Sequence, residues 1–221
     1  MREDGREGDV FALIGPKRYD VPWRELEQRA WIATAVCTEV RVPMSTERRM
    51  EYALAERRSQ FRIAAENPEK TAHVLAILDR CQDSRALVMG EYLTQVRALA
   101  DELEAPLVTG KTPQREREEL YDRFRRGELR RLVLSKVGNF AIDLPDADVL
   151  IQVSGLFGSR QEEAQRLGRI LRPKADGRTA RFFSLVSRDT REEEFAHHRQ
   201  LFLTEQGYSY QIEIAGGASV R

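Results

Sequence analysis

Cysteine, histidine and long apolar runs are scarce in this chain. Its 221 residues hold two cysteines, Cys37 and Cys81, far apart and with no Cys or His neighbour at metal-ligand spacing. That excludes a disulfide-built scaffold and leaves no pattern for structural zinc or any other metal. Both thiols lie in apolar-periodic stretches and read as core residues. The three histidines, His73, His197 and His198, read as structural or solvent-facing, and no catalysis is assigned to them. No apolar stretch approaches the roughly 20 residues that a membrane helix needs. The charged start MREDGREGDV has no apolar leader core, so the expectation is a soluble, cytoplasmic protein with no membrane partner. No one sign of charge prevails either, since 36 Lys and Arg balance 36 Asp and Glu. Bulk attraction to a polyanion is thereby excluded, and any nucleic-acid surface has to be a local basic stripe. Tryptophan is rare, and Trp23 and Trp31 read as packing anchors. There is no internal repeat and no low-complexity tract.

What is present is an alternation. Residues 1–21 are loop-like, punctuated by Gly15 and Pro16, and PWRELEQRA reads as a short helix. WIATAVCTEVRV alternates and is β-branched, which predicts a strand ended by Pro43. Ser45 then caps one predicted helix, STERRMEYALAERRSQFRIAAE, basic over much of its surface. Asn67 and Pro68 open the next helix, with proline at the first helical position. From Arg85 onward short apolar strands (RALVMG, APLVTG, RRLVLSK, ADVLIQVS, TARFFSLVS, YSYQIEI) alternate with amphipathic helices. Unbroken apolar strands crossed by helices predict an α/β fold: a mostly parallel sheet covered on both faces, plus a small helical appendage. In such folds ligands gather at the carboxyl ends of the strands.

Three loops there carry unusual residues. VTGKTPQRERE ends in Gly110-Lys111-Thr112, the tail of a phosphate-binding P-loop. Five positions before Gly110, where the loop's first glycine belongs, stands Ala105. Pro106 follows and donates no N–H to a phosphate. QRLGRILRP places Gln165, Arg169 and Arg172 at i, i+4 and i+7, one face of a helix. An amide and two guanidiniums there suit a transferring phosphoryl group. Equally, the face suits a surface helix paired with Glu162 and Glu163. In SKVGNFAIDLP, Asp143 is placed to accept from a ribose hydroxyl, or to form an Asx-type turn before Pro145.

Together these segments resemble the second RecA-like lobe of superfamily 2 helicases, and within them the xeroderma pigmentosum group B (XPB) DNA-repair helicases. SKVGNFAIDLPDADVLIQVSGLFGSRQEEAQRLGRILRPK is similar to that family's motifs V and VI. LVTGKTPQRERE resembles motif IVa, and ALVMGEY stands where motif IV belongs. LIGPKRYDVPWRELEQRAWIATAVCTEVRVPMS resembles the link between lobes, and Arg2-Glu3-Asp4 the short motif ending the first lobe. The resemblance implies a RecA-like three-layer α/β/α domain over 67–221, a thumb-like helical segment over 45–66, and the inter-lobe linker with a first strand region over 1–44.

It also implies roles. Arg169 and Arg172 would be arginine fingers reaching the γ-phosphate of ATP across the cleft, with Gln165 placing that phosphate or the attacking water. Gly138 and Asp143 would contact the nucleotide. Thr109, Gly110, Ser135 and Lys136 would hold DNA backbone. Of the thumb cations Arg48, Arg49, Arg57, Arg58 and Arg62, the pair Arg57 and Arg58 is assigned to DNA. A solvated helix with Met50, Leu54 and Phe61 as its buried stripe is the competing reading. Ala141 and the pair Gly90-Glu91 depart from the family pattern. ATP with Mg²⁺ would be bound mainly by a first lobe not contained in this chain, so the chain alone is expected to bind no cofactor and hydrolyse nothing. Expected partners are DNA, that first lobe and a repair nuclease or other repair protein. The rival functions are an independent NTPase built on Lys111 and a RecA-like protein-interaction module.

Overall fold

A computed structural model describes Glu25, Arg29 and residues 35–135, 147–155, 179–205 and 208–215. Seven strands form one sheet: β1 Ala35–Val42, β2 Ala86–Gly90, β3 Leu107–Val108, β4 Arg131–Ser135, β5 Val149–Gln152, β6 Ala180–Ser187 and β7 Ser209–Ile214. Their order is β3-β4-β2-β5-β6-β1-β7, and every described pairing is parallel. Among the described residues six helices accompany them: α1 Thr46–Leu54, α2 Arg57–Ala65, α3 Glu69–Arg80, α4 Leu93–Glu102, α5 Gln114–Arg125 and α6 Glu192–Glu205.

The apolar runs explain the strand order. All residues of β2 and β5 are buried, as strands covered on both faces must be. Alternation then splits the sheet into two cores. On one face Leu87, Leu132, Leu134, Leu150 and Phe182 meet Tyr121 and Phe124 of α5 and Phe202 and Leu203 of α6. On the other, Val88, Val133, Val149 and Ile151 meet Val74, Ile77 and Leu78 of α3 and Val96, Leu99 and Ala100 of α4. The result is the three-layer α/β/α architecture. Cys37 and Cys81 are buried and not joined in a disulfide, as their periodic settings predict.

Two sequence expectations change. APLVTG shrinks to a two-residue strand at the sheet edge. Pro106 supplies no donor there, although its carbonyl accepts from the Val133 N–H at 3.0 Å. The single helix expected from Ser45 is two helices. Ser45 does cap the first, its hydroxyl accepting from the Arg48 N–H at 3.2 Å. Ala55 and Glu56 are extended, with ψ near 148° and 149°, and Gln60 Nε2 donates back to the Tyr52 carbonyl. The buried stripe expected through Met50 and Leu54 is absent: these side chains are 62% and 86% exposed. Burial begins at the far end of α2 with Ile63, Ala64 and Ala65. Of the two helices that meet at Ala55, only the second has buried residues. β1 lies in the segment assigned to the inter-lobe linker, so the sheet takes its strands from both sides of the 45–66 helices.

Candidate functional site

All carboxyl strand ends fall on one edge of an all-parallel sheet. The turn after β3 is the GKT sequence. The Thr109 N–H donates to Thr112 Oγ1 at 2.9 Å, the Lys111 N–H to Thr109 Oγ1 at 3.2 Å, and the Thr112 N–H to the Thr109 carbonyl at 3.2 Å. Arg117, one turn into α5, donates to the Thr109 and Thr112 carbonyls at 3.4 and 3.1 Å. A P-loop aims consecutive N–H groups at phosphate. Here three of those groups are spent within the turn, and Lys111 is exposed. The Gly110 N–H has no acceptor among the described residues. Sequence reading missed Arg117 as the clip of this turn; its only signal was a cation one helical turn after Pro113.

Ser135 ends β4 and is 3% exposed. Gly90 ends β2. A Cβ there would come 2.7 Å from Val96 Cγ1 and 2.9 Å from Val153 Cγ2, so the departure at Gly90 lets α4 and the β5 exit close over the strand. The Glu91 N–H then donates to Ser154 Oγ at 2.8 Å, joining the β2 and β5 exits.

The basic residues of the helical segment divide sharply. Arg48 pairs with Glu51 at 2.7 Å, Arg49 with Asp189 at 3.0 Å and Arg62 with Glu66 at 2.8 Å. The hydrogen bond from Arg49 holds the Asp189 carboxyl below its ordinary range. Arg57 and Arg58 are exposed and have no acidic partner among the described residues. The pair of helices is fastened to the sheet edge from below. Ser187 Oγ donates to the Ala64 carbonyl at 2.7 Å, and Asn67 Nδ2 to the Pro43 carbonyl at 2.9 Å. Arg191 lies over the Phe61 ring at 4.7 Å, and Phe61 packs on Phe195 with centroids 5.1 Å apart.

Under this anchor sits a charge that the sequence did not flag. Lys70 is 1% exposed. Its ammonium donates to the Val153 carbonyl at 2.9 Å and to Glu192 Oε2 at 2.8 Å. The same carboxylate oxygen accepts from the Ser187 N–H. Burial pushes the Lys70 ammonium below its ordinary value, against the opposing pull of Glu192. Lys70 thereby ties α3, the β5 exit and the start of α6 into one unit.

Gln165, Arg169, Arg172, Gly138, Asp143 and Lys136 lie outside the described residues. Among the described helices none is long and apolar enough to cross a membrane.

Solved structures share this architecture. The chain superposes on the Escherichia coli DEAD-box protein SrmB with a TM-score of 0.53 and 20% identity, over 82% of this chain and 90% of that one. On a DEAD box protein from Methanococcus jannaschii the TM-score is 0.54 at 17% identity, over 86% and 43%. At such identities the likeness shows the RecA-like helicase fold alone. Sequence relatives are much nearer. The DNA 3′-5′ helicase XPB of Mycobacterium tuberculosis is 59% identical over 215 residues, covering 97% of this chain and 39% of the relative. The XPB/SSL2 helicase/translocase subunit of the general transcription and DNA repair factor IIH in Saccharomyces cerevisiae is 39% identical, covering 96% and 26%. The chain thus spans about two-fifths or less of these relatives. Residues 26–217 match the model of the ERCC3/RAD25/XPB C-terminal helicase, and the chain belongs to that family.

Proposed function

We propose that this chain is the second motor lobe of an ATP-dependent DNA helicase or translocase that works in DNA repair and moves 3′ to 5′. ATP with Mg²⁺ binds chiefly on a first lobe. Arg169 and Arg172 reach its γ-phosphate across the cleft, Gln165 places that phosphate or the attacking water, and Gly138 and Asp143 contact the nucleotide. Guanidiniums positioned where charge develops in phosphoryl transfer are worth about 10³–10⁵ in rate. DNA backbone is held by the Thr109 hydroxyl, the Gly110 N–H, Lys136, and Arg57 and Arg58. Ser135, at the end of β4, belongs to the same grip.

The observation that carries this reading is the closed turn Thr109–Thr112 at the carboxyl end of β3. With its amides spent internally, it has no cradle for a triphosphate. One outward N–H and a hydroxyl suit a single backbone phosphate instead. Half of a cleft supplies half of the transition-state charge stabilisation, so the chain alone is silent.

The test is DNA-stimulated ATP hydrolysis by the full-length protein, comparing wild type, Arg172→Ala and Lys111→Ala, with the 221-residue chain alone as a fourth sample. The expected outcome is a nearly dead Arg172→Ala, a Lys111→Ala weakened chiefly in its DNA response, and a silent chain. Hydrolysis by the chain alone that Lys111→Ala abolishes sinks the proposal in favour of an independent NTPase. Full activity of Arg172→Ala would leave only a protein-interaction module.

A further inference from the structure

Gln152 is the last residue of β5, beside Met89 of β2 and Ser184 of β6 in register. Its side chain is 1% exposed. Among the described residues neither Oε1 nor Nε2 has a hydrogen-bond partner. A primary amide can donate twice and accept twice, so this one leaves its whole capacity unused inside the protein. Such groups are rare in native structures, and each costs stability relative to an apolar side chain of similar size.

Its surroundings indicate what the amide waits for. Next to it, Arg199 of α6 donates to Ser184 Oγ at 2.9 Å. Three residues on, the chain leaves the sheet at Gly155. A Cβ at Gly155 would come 2.8 Å from Gln152 Nε2 and 2.8 Å from Arg199 Nη2. The strand exit therefore passes close over the amide, and glycine is what lets it do so. Within the exit the Val153 N–H already bonds the Met89 carbonyl at 2.9 Å and the Val153 carbonyl already accepts from Lys70, which leaves the peptide groups of Ser154 and Gly155 as the donors and acceptors that an amide matches. The exit is also held from its other side, where Lys70 binds the Val153 carbonyl and Ser154 Oγ receives the Glu91 N–H.

We infer that Gln152 is a positioning residue whose buried amide receives the peptide groups of Ser154 and Gly155 in the strand exit when the lobe closes on ATP and DNA. In the open lobe the amide is unbonded. On closure the exit re-seats by a small displacement and the amide bonds it, so the hydrogen bonds forgone in the open state favour the closed one. Gln152 thus acts through the chain that follows it, without touching nucleotide. The inference rests on the motor-lobe reading above.

The experiment uses the full-length protein with Gln152→Met and Gln152→Leu, both of which remove the amide and keep most of its volume. Arg172→Ala is the control. Thermal melting and the kcat and KM of DNA-stimulated ATP hydrolysis are measured. The expected result is a Tm raised by about 2–4 °C, a kcat lowered at least about tenfold (one decade of barrier), and an unchanged KM for ATP. A lower Tm in both variants overturns the inference, because the amide is then satisfied at rest, for example by a buried water. A raised Tm with wild-type kcat also overturns it, leaving a mere packing imperfection. A silent Arg172→Ala beside fully active Gln152 variants overturns the inference alone. An active Arg172→Ala overturns the motor reading and the inference together.

Discussion

Lys70 shows how one side chain can organise an edge of the sheet. Its ammonium is buried, bonded to the Val153 carbonyl and paired with Glu192, whose side chain is 11% exposed. Removing one member of such a pair leaves the other without its counter-charge, and Lys70→Met should cost about 3 kcal/mol in a urea titration at neutral pH. The sign of the pH dependence follows from burial, which lowers the folded-state value. Between that lowered value and the ordinary one of 10.5, the unfolded chain holds a proton that the folded chain has released. Stability therefore rises with pH across that window. Below it the desolvation penalty is present in full. The stability of wild type relative to Lys70→Met should accordingly grow as the titration is repeated at increasingly alkaline pH, and a falling difference would contradict this account. Gly90 is the second case. A methyl group at that position presses on Val96 and Val153, and Gly90→Ala should cost about 1–3 kcal/mol by overpacking, read as a lower urea midpoint at unchanged slope.

At the scale of elements, the helix pair α1 and α2 separates structural from available charge. Arg48 is already held by Glu51 on its own helix and Arg62 by Glu66 at the end of its own. Arg57 and Arg58 begin α2, immediately after the extended joint, and have no acid among the described residues. Each phosphate contact releases counterions, so the slope of log affinity against log salt counts the contacts. Arg57→Ala and Arg58→Ala in the full-length protein should each reduce that slope by about 0.7–0.9 on DNA. Arg48→Ala and Arg62→Ala should leave it unchanged. Equal effects from all four would mean that the intrahelical pairs give way to phosphate and that their geometry does not decide the grip.

For the whole molecule the decisive fact is a single sheet with all strands pointing one way. The GKT turn after β3 and the helices after β1 stand on the same edge, five strand spacings apart in the order of the sheet. At about 4.8 Å per spacing that is roughly 24 Å, a reach of several nucleotides. The motor reading requires those two contact regions to move as one body. β6 joins them: it pairs with β5 on one side and β1 on the other, with Phe182 opposite both Leu150 and Cys37. Phe182 is 1% exposed. Phe182→Ala should cost about 3–5 kcal/mol and lower the melting of the β1–β7 and β2–β5 sides together. Amide exchange showing one side opening while the other stays protected would mean that the sheet is two units.

The fold class was written in local chemistry. Apolar runs such as ALVMG and VLIQ, punctuated by Gly and Pro and crossed by amphipathic helices, can be satisfied only as a sheet covered on both faces. Ser45 announced its cap, Asn67 accepts from the Glu69 N–H just ahead of α3, whose cap position is Pro68, and the family resemblance was carried by contiguous motifs matched over 26–217. Ala105 and Pro106 already argued against a P-loop, because backbone geometry depends on each residue's own Cβ and N–H. The rest needed contacts between residues far apart in the chain. Where burial begins past Ala55 depends on what α2 has beneath it. Which arginines are free depends on whether an acid lies within reach, as Asp189 does for Arg49 across 140 positions. Lys70 and Gln152 look ordinary in sequence, one on a charged helix and one at a strand end. Only the closing of α3, β5 and α6 around them removes their water, and without water a charge must find a partner and an amide must bond or wait.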